Sequence, residues 1–117
     1  MVTILATDAP LDHLQLRRVA ARATLGMARV GSYGWHGSGD LFLAFSTRGL
    51  VDDPLRPFAL RPTLRLDLLN DFFRAAVEAT EEGILDALFC ACGETGLLGR
   101  RAAGLPLAEV RRRLLGG

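Results

Sequence analysis

The side chains best suited to chemistry lie in a glycine-rich segment, residues 31–40, which reads Gly-Ser-Tyr-Gly-Trp-His-Gly-Ser-Gly-Asp. Ser38 and Asp40 stand just before an apolar run, where they can form an acid–base pair or hydrogen-bond the local backbone as turn residues do. Tyr33, Trp35 and His36 are candidates to line a substrate pocket, or else they pack on the loop itself. A dyad of Ser38 with His36 alone is not expected, because residues two apart in a glycine loop have no preset hydrogen-bond geometry.

The cysteines and histidines do not form a metal-binding pattern. Cys90 and Cys92 fall in an expected helix, where residues two apart point to nearly opposite sides, so a shared metal ion or a disulfide is not expected. We expect both cysteines to pack as small hydrophobic side chains. His13 and His36 add no zinc-ligand spacing. The sequence therefore predicts a protein without a metal or cofactor, in a reducing cytoplasm.

The charged residues indicate solvated surfaces rather than a binding site. The chain has 14 basic and 13 acidic residues, a formal net charge of +1, so attraction to nucleic acid or anionic lipid is not built into its composition. Glu78, Glu81 and Glu82 lie on one expected helix and are typical of surface charge. The run Arg111–Arg113 makes a nucleic-acid binder a remote possibility, which the net charge disfavours.

The length and composition favour one folded domain over residues 1–117. Half of the residues are hydrophobic (50%), which argues against disorder. The longest uninterrupted apolar run, Leu41–Phe45, is far shorter than the roughly 18 residues of a membrane-spanning helix. Asp8 and Pro10 interrupt the first apolar stretch, so we expect no signal peptide and no membrane association.

The first half of the chain predicts a strand, a helix and a second strand. The β-branched and apolar run Val2–Thr7 favours a strand. Asp12 and Gln15 match a capping box, which predicts a helix from about His13 to Val30 that ends at Gly31. Leu41–Thr47 is a second strand, with Leu41, Leu43 and Phe45 on one face and Phe42 and Ala44 on the other.

The second half predicts mainly helix. A connection from Arg48 to Pro62 precedes a helix from about Asp71 to Cys92, capped by Asn70 or beginning as early as Thr63. We expect its inward side chains to be Phe73, Val77, Ile84 and Leu88. Residues 93–104 read as a loop, and Pro106 begins a last helix that ends near Leu115.

This β-α-β-α order is an incomplete α/β layer. A strand that is apolar on both faces must be covered on both, yet two long helices cover only one side of a small sheet. We expect the face with Phe42 and Ala44 to stay uncovered. The sequence therefore predicts a missing partner: another chain, another copy, or another part of the same gene product.

Several motifs resemble one known family. Residues 6–11 (Ala-Thr-Asp-Ala-Pro-Leu), 37–47 (Gly-Ser-Gly-Asp-Leu-Phe-Leu-Ala-Phe-Ser-Thr) and 77–85 (Val-Glu-Ala-Thr-Glu-Glu-Gly-Ile-Leu) resemble the smaller, C-terminal subunit of the L-aminopeptidase/D-esterase family. The members of this family are also called DmpA-like β-peptidyl aminopeptidases. The Thr95-Gly96-x-x-Gly99-Arg100 loop and Leu105-Pro106-Leu107 also match that subunit. The resemblance covers nearly the whole chain and is weakest from Arg48 to Leu69.

The resemblance implies a fold and an activity. The fold is a four-layer α/β/β/α sandwich like that of ornithine acetyltransferases, of which this chain would form the β-α-β-α half. The family's precursor cleaves itself, and the new N-terminal serine of the smaller subunit attacks the substrate, its free α-amine acting as base. The implied function is hydrolysis of N-terminal amino acids from peptides, amides or esters, with the larger N-terminal subunit and a homo-oligomer as partners.

The resemblance also assigns roles to residues. Ser38 and Asp40 match the second serine and the acidic residue that orient the nucleophile. Without gaps, the nucleophile falls one residue before Met1, so this chain alone is expected to be inactive. Thr3 is a chemically possible substitute only if two residues are removed. A second function class remains open, in which the chain is a non-catalytic fragment or an assembly module of the same fold.

Overall fold

The computed structural model describes residues 1–48 and 62–116. The connection expected from Arg48 to Pro62 lies almost wholly outside the described residues. Tertiary contacts divide the chain into two compact units, Met1–Glu81 and Glu82–Gly117, with the boundary inside a long helix. The single domain expected over residues 1–117 stays a prediction.

The first unit is built on two parallel strands, β1 (Val2–Thr7) and β2 (Leu41–Ser46), which pair in one-to-one register from Val2 opposite Leu41 onwards. Both strands agree with the predictions, β2 being one residue shorter. The backbone ladder extends beyond each end, because Leu41 N–H donates to the Met1 carbonyl at 2.9 Å and Thr47 N–H donates to the Thr7 carbonyl at 2.9 Å.

Helix α1 (His13–Ala20) begins at the predicted capping box. The Asp12 carboxylate accepts from Gln15 N–H at 2.8 Å, and the Gln15 side chain accepts from Asp12 N–H at 3.1 Å. Gln15 is buried, and its amide nitrogen also donates to the Leu64 carbonyl at 2.7 Å. One side chain thus closes the cap and holds the backbone that precedes α3 against α1.

The single helix expected from His13 to Val30 is wrong, because the chain turns at residues 21 and 22 before α2 (Ala23–Arg29). There the hydrogen bonds shorten to the i→i+3 pattern: Arg22 N–H to the Val19 carbonyl, and Leu25 N–H to the Arg22 carbonyl. The Thr24 hydroxyl also donates to the Ala21 carbonyl at 2.7 Å, and such bonds compete with the helical ladder. The apolar stripe is preserved, since Ala20, Ala23 and Met27 are all buried.

Helix α3 (Leu69–Cys90) follows a short 3₁₀ turn at Leu66–Leu68. It begins before the predicted cap, so Asn70 lies inside the helix, and it ends two residues earlier than expected. The face buried in the first unit contains Leu69, Ala76 and Thr80, with Phe73 and Val77 half-buried beside it. Leu88, expected to point inward, is exposed, because it lies beyond the packed part of the helix.

The second unit contains the end of α3, a small antiparallel hairpin and a last helix. Strands β3 (Glu94–Thr95) and β4 (Arg101–Ala102) form the hairpin, where a loop was expected. Helix α4 (Leu107–Leu115) follows Pro106, close to its predicted bounds. Cys90 and Cys92 are exposed thiols, which corrects the expectation that they pack as buried hydrophobic groups. The Cys90 thiol donates to Asp86 Oδ1 at 3.5 Å, and this bond raises the pKa of the thiol.

The two faces of the β1–β2 sheet differ sharply, and the expected assignment of the faces is wrong. Phe42 and Ala44 face the helices and are half-buried, because the small side chain of Ala44 lets α1 approach β2. The opposite face carries five large apolar side chains that are 43–70% exposed: Val2, Ile4, Leu41, Leu43 and Phe45. Among residues 1–48 and 62–116, one apolar face of the sheet is therefore uncovered, as expected, but it is the face opposite to Phe42 and Ala44.

Helices α2 and α3 approach so closely at Gly26 that only a glycine fits. A Cβ atom at this position would lie 2.6 Å from the Val77 carbonyl oxygen and 2.7 Å from Thr80 Cβ. Real Cβ atoms do not approach backbone atoms this closely, so a larger residue must push the two helices apart. Gly83 offers a contrast within α3, since a Cβ atom there has nothing within 4 Å.

We therefore predict opposite effects for the same substitution at these two glycines. Gly26→Ala should lower the free energy of unfolding by about 1–3 kcal/mol, because the added methyl group overpacks the helix contact. Gly83→Ala should raise it by about 0.5–1 kcal/mol, because alanine favours the helix and meets no neighbour. Urea unfolding of both variants measures the two changes. Equal effects would contradict the close approach at Gly26.

Candidate active site

The parallel pairing of β1 and β2 brings the start of the chain to Asp40. Parallel strands begin at the same edge of a sheet, so the residue before β2 lies opposite the residue before β1. Asp40 Oδ1 accepts a hydrogen bond from the Met1 ammonium group at 2.7 Å, and this ion pair is partly shielded, with 16% of the Asp40 side chain exposed. Residues 39 positions apart in sequence thus meet at one point.

Ser38 completes a chain of three groups, since its hydroxyl donates to Asp40 Oδ2. A turn places it there: Ser38 N–H donates to the Trp35 carbonyl at 2.8 Å. The two predicted catalytic residues are therefore in direct contact, and Asp40 uses its two oxygens on two different partners. Besides the turn bond of Ser38 N–H, Asp40 therefore also binds the Met1 nitrogen.

The end of α2 determines where this loop starts. Gly31 has φ +94°, and the carbonyls of Ala28 and Met27 accept from Gly31 N–H (3.0 Å) and Ser32 N–H (3.1 Å). This pair of bonds is the Schellman arrangement, which requires the left-handed conformation that glycine adopts most easily. The predicted end of the helix at Gly31 is confirmed, and Tyr33 follows two residues after this glycine.

The surroundings of Asp40 stabilise its ionised form. The Met1 ammonium group, followed by the Ser38 hydroxyl, lowers the pKa of the Asp40 carboxyl below its ordinary value. The group is thus a carboxylate at neutral pH. Chemically, such a carboxylate orients a hydroxyl group and a nitrogen and compensates a positive charge on that nitrogen.

The three candidate pocket residues are in the same loop, but among the described residues their side chains make no hydrogen bond to Ser38 or Asp40. The Tyr33 and Trp35 rings contact each other at a tilt of 37°, with centroids 4.8 Å apart, and they are 72% and 68% exposed. His36 is also exposed, and within the described part of the chain it makes no hydrogen bond to Ser38 or Asp40. The aromatic pair thus packs on itself and not on the loop's base.

A cavity of about 280 Å³ adjoins Asp40, which the sequence analysis missed. It lies between α2 and the glycine-rich loop, and its walls include Leu25, Met27, Tyr33 and Phe42. Its formation depends on the break between α1 and α2 and on the inward direction of Phe42. Neither feature has a periodic signal in the sequence.

Two further observations concern metals and membranes. Among residues 1–48 and 62–116, no three His, Cys, Asp or Glu side chains come close enough together to hold a metal ion. None of the helices described in those residues is long and apolar enough to cross a membrane.

Comparisons with known proteins identify the family. The profile of peptidase family S58 matches residues 1–102. The β-peptidyl aminopeptidase BapA of Sphingosinicella microcystinivorans is 41% identical over 112 residues, which is 95% of this chain and 28% of that protein. The chain belongs to peptidase family S58. The DmpA-like family indicated by the sequence motifs is therefore confirmed.

Two solved structures have the same fold as this chain. The PH0078 protein from Pyrococcus horikoshii OT3 superposes with a TM-score of 0.90 and 38% identity over 98% of this chain and 33% of that chain. The L-aminopeptidase D-Ala-esterase/amidase from Ochrobactrum anthropi, a prototype of the serine aminopeptidases with a variant Ntn hydrolase fold, gives a TM-score of 0.86 and 31% identity. The match covers 98% of this chain and 33% of the Ochrobactrum anthropi chain. The predicted α/β fold class is confirmed.

The chain is much shorter than the proteins it matches. It spans 28% of the length of the curated relative and 33% of each of the two solved chains. The structural elements described above therefore correspond to about a third of the proteins that they resemble.

We predict that the pKa of Asp40 depends measurably on Ser38. Ser38→Ala removes one of the two hydrogen bonds to the carboxylate, so the pKa of Asp40 should rise towards its ordinary value while the Met1 ammonium group still holds it below that value. Carbon-detected NMR titration of the aspartate carboxyl groups measures this change. Asp12 is a matched control, because its lowered pKa comes mainly from Gln15 N–H.

The same shift determines the sign of a pH effect on stability. The pKa of Asp40 is lower in the folded chain than in the unfolded chain. The stabilising contribution of Asp40 to the free energy of unfolding is therefore fully present above the unfolded pKa of about 3.9, and it is lost as the pH falls through the folded pKa. An Asp40 titration that Ser38→Ala leaves unchanged would contradict the hydrogen bond between the two side chains.

Proposed function

We propose that this chain is the smaller, catalytic-subunit portion of an S58 aminopeptidase that hydrolyses N-terminal amino acids from peptides, amides or esters. The observation that carries the proposal is the contact of Ser38 with Asp40 and of Asp40 with the nitrogen at the start of β1. Family membership and 41% identity to a β-peptidyl aminopeptidase support it.

In this proposal the nucleophile is a serine one residue before Met1, released by self-cleavage of a precursor. A residue at this position would be joined to the Met1 nitrogen by a peptide bond. That nitrogen, 2.7 Å from Asp40 Oδ1, would then be an uncharged N–H donor, and the positive charge would move to the α-amine of the preceding residue. Its hydroxyl and its new α-amine would therefore lie near Asp40 and Ser38. The distance supports this placement, since groups that assist a nucleophile must lie within hydrogen-bond reach, directly or through one intermediate group.

The proposed reaction follows from these positions. The serine hydroxyl oxygen attacks the carbonyl carbon of the first residue of the substrate, and its proton passes to the α-amine, as in other N-terminal nucleophile enzymes. That proton then goes to the departing amine, or alkoxide for an ester, as the C–N or C–O bond breaks. Water hydrolyses the acyl-enzyme in a second step. Asp40 orients Ser38 and compensates positive charge on the amine.

The neighbouring groups of the loop are the proposed substrate contacts. Tyr33 and Trp35 present an exposed aromatic surface beside the Ser38 turn, and His36 follows them in the same loop. Exposed aromatic side chains on a loop beside reactive groups favour substrate contact over a packing role. Neither a metal nor a cofactor takes part in the proposed mechanism.

We further propose that the exposed face of the β1–β2 sheet binds the larger portion of the same precursor. The chain spans only 28% of its curated relative, so most of the relative's length has no counterpart here. An uncovered layer of leucine, isoleucine, valine and phenylalanine side chains is what a second sheet would bury. The complete protein is proposed to work in the cytoplasm.

This partner proposal predicts the behaviour of the chain by itself. The 117-residue chain should not be a stable monomer at micromolar concentration, because the face carrying Ile4, Leu43 and Phe45 is exposed. Leu43→Glu should shift it towards a monomer in analytical ultracentrifugation and should also weaken its binding to the larger portion. A cooperatively folding wild-type monomer would contradict the proposal. Leu14→Glu, on the exposed side of α1, is the control.

The catalytic proposal predicts the rates of two variants of the complete protein, in which this chain is produced together with the larger portion. Ser38→Ala and Asp40→Asn should each lower the rate on an amino-acid p-nitroanilide by a factor on the order of 10²–10⁴, the range for a positioned acid–base group. The double variant should lose little more, because both groups act in one transition state. Self-cleavage should slow as well.

The controls separate catalysis from folding and from the alternative function. The 117-residue chain alone should show no hydrolysis, and activity abolished by Thr3→Ala would identify a different nucleophile. If both variants mature and turn over at wild-type rates, Ser38 and Asp40 form only a turn, and the non-catalytic assembly module is the correct function. Circular dichroism and Gln15→Ala, a structural variant distant from the loop, report any loss of folding.

A further inference from the structure

Two contacts hold α2 against α3 within the first unit. Gly26 lies so close to α3 that a Cβ atom there would be 2.6 Å from the Val77 carbonyl oxygen and 2.7 Å from Thr80 Cβ. One turn later, Arg29 Nη1 donates to Glu81 Oε2 at 2.9 Å. Residues three or four apart share one face of a helix, so both contacts join the same two facing sides of α2 and α3.

The ion pair fixes the end of α2, which the Gly26 contact alone does not. The helix has only seven residues, and a helix this short depends on tertiary contacts for its stability. Gly26 lies in its middle, whereas Arg29 is its last residue. A positive charge at this end also suits the helix dipole. The bond to Glu81 therefore determines where α2 ends relative to α3.

The glycine-rich loop that begins there has little structure of its own. Four of the nine residues 31–39 are glycine. Within residues 31–40, the single backbone hydrogen bond that joins two loop residues is that from Ser38 N–H to the Trp35 carbonyl. The loop conformation therefore depends on its two ends, the turn at Gly31 and the sheet ladder that begins with Leu41. Ser38 lies between these ends, so a shift of α2 displaces it.

Helix α2 also borders Asp40 directly. The cavity of about 280 Å³ beside Asp40 is lined by Met27 and Ala28 of α2 as well as by Tyr33 of the loop. A displacement of the end of α2 therefore changes the wall beside the carboxylate together with the path of the chain to Ser38.

We propose that Arg29 and Glu81 are positioning residues of the active site: their ion pair fixes the end of α2, and through the turn at Gly31 it holds the Ser38 hydroxyl on the Asp40 carboxylate. The proposal rests on the proposed function, since it is the contact of Ser38 with Asp40 that is given a role in the reaction. Neither Arg29 nor Glu81 touches the substrate in this proposal. Glu81, which the sequence indicates as surface charge, thus has a partner on another helix.

The exposure of the pair makes the proposal testable without unfolding the chain. The Arg29 and Glu81 side chains are 51% and 32% exposed. Ion pairs that are open to solvent contribute little to global stability, so variants of this pair should fold. Their effects should then appear at the loop and in the rate.

The first experiment reverses each charge in the complete protein, in which this chain is produced together with the larger portion. Arg29→Glu and Glu81→Arg should each lower kcat on an amino-acid p-nitroanilide by a factor of about 5–20, well below the roughly 10²-fold cost of a 1 Å misplacement. KM should change by less than about twofold, because the pair acts on the reacting groups and not on substrate binding. The double reversal should restore kcat to within about threefold, because the pair forms again with opposite polarity.

The second experiment needs no catalysis and uses the 117-residue chain. Glu81→Arg should raise the pKa of Asp40, because the Ser38 hydroxyl no longer stays on the carboxylate, and the double reversal should lower it again. The added positive charge acting through space would instead lower this pKa, so the sign identifies the cause. Carbon-detected NMR titration measures it. Arg65→Glu is the matched control, because it reverses one charge of another exposed pair, Arg65 with Asp67, whose bond is also 2.9 Å long.

Several outcomes would overturn the proposal. Charge-reversed chains that keep the wild-type circular dichroism, turn over like Arg65→Glu and titrate Asp40 like the wild type would do so, as would a double reversal that restores neither property. If Glu81→Arg unfolds the chain, Arg29→Met, which keeps the stem of the side chain without its charge, should still raise the pKa of Asp40, and an unchanged pKa would count against the ion pair. A complete protein without aminopeptidase activity would contradict the proposed function, while the Asp40 titration would still decide whether the pair positions the loop.

Discussion

The parallel pairing of β1 with β2 is the constraint on which the rest of this structure depends. Because both strands begin at one edge, Asp40 lies opposite Met1, and the Ser38 hydroxyl reaches the same carboxylate. An antiparallel pair would place the start of β2 beside the end of β1, about 20 Å away for strands of this length. The connection between the strands must therefore return the chain across the sheet, and α1 and α2 perform that return.

The helices of the first unit pack on the β1–β2 sheet through a small set of buried residues, so single contacts contribute strongly to the stability of this packing. The buried Gln15 side chain joins the cap of α1 to the backbone at Leu64, on the far side of the undescribed segment. Gly26 allows α2 to approach α3 so closely that a Cβ atom at this position would lie 2.6 Å from the Val77 carbonyl oxygen. Because Gly26 lies in the helix that leads to Gly31, the α2–α3 contact also determines where the glycine-rich loop starts.

The unburied surfaces of the chain are as informative as its core. Half of its residues are hydrophobic, yet the β1–β2 face and the side chains of Leu97 and Leu98 are left exposed. No element among the described residues covers these surfaces, and the chain spans about a third of the relatives that it matches. The apolar side chains of such a chain lie partly in its core and partly on exposed surfaces. The hydrophobic content of the sequence therefore overestimates how much apolar area is buried in the core.

The sequence by itself determined what depends on near neighbours: the strand β1, the capping box of Asp12 and Gln15, the stop at Gly31, and the proximity of Ser38 to Asp40. Its motifs also determined the family. Only the tertiary structure decided which face of β2 meets the helices, because alternation marks two faces without saying which is covered. It also decided that the Met1 nitrogen and the Ser38 hydroxyl bind different oxygens of the same Asp40 carboxylate. These features depend on pairing between distant segments, and a local pattern of side chains carries no information about that pairing.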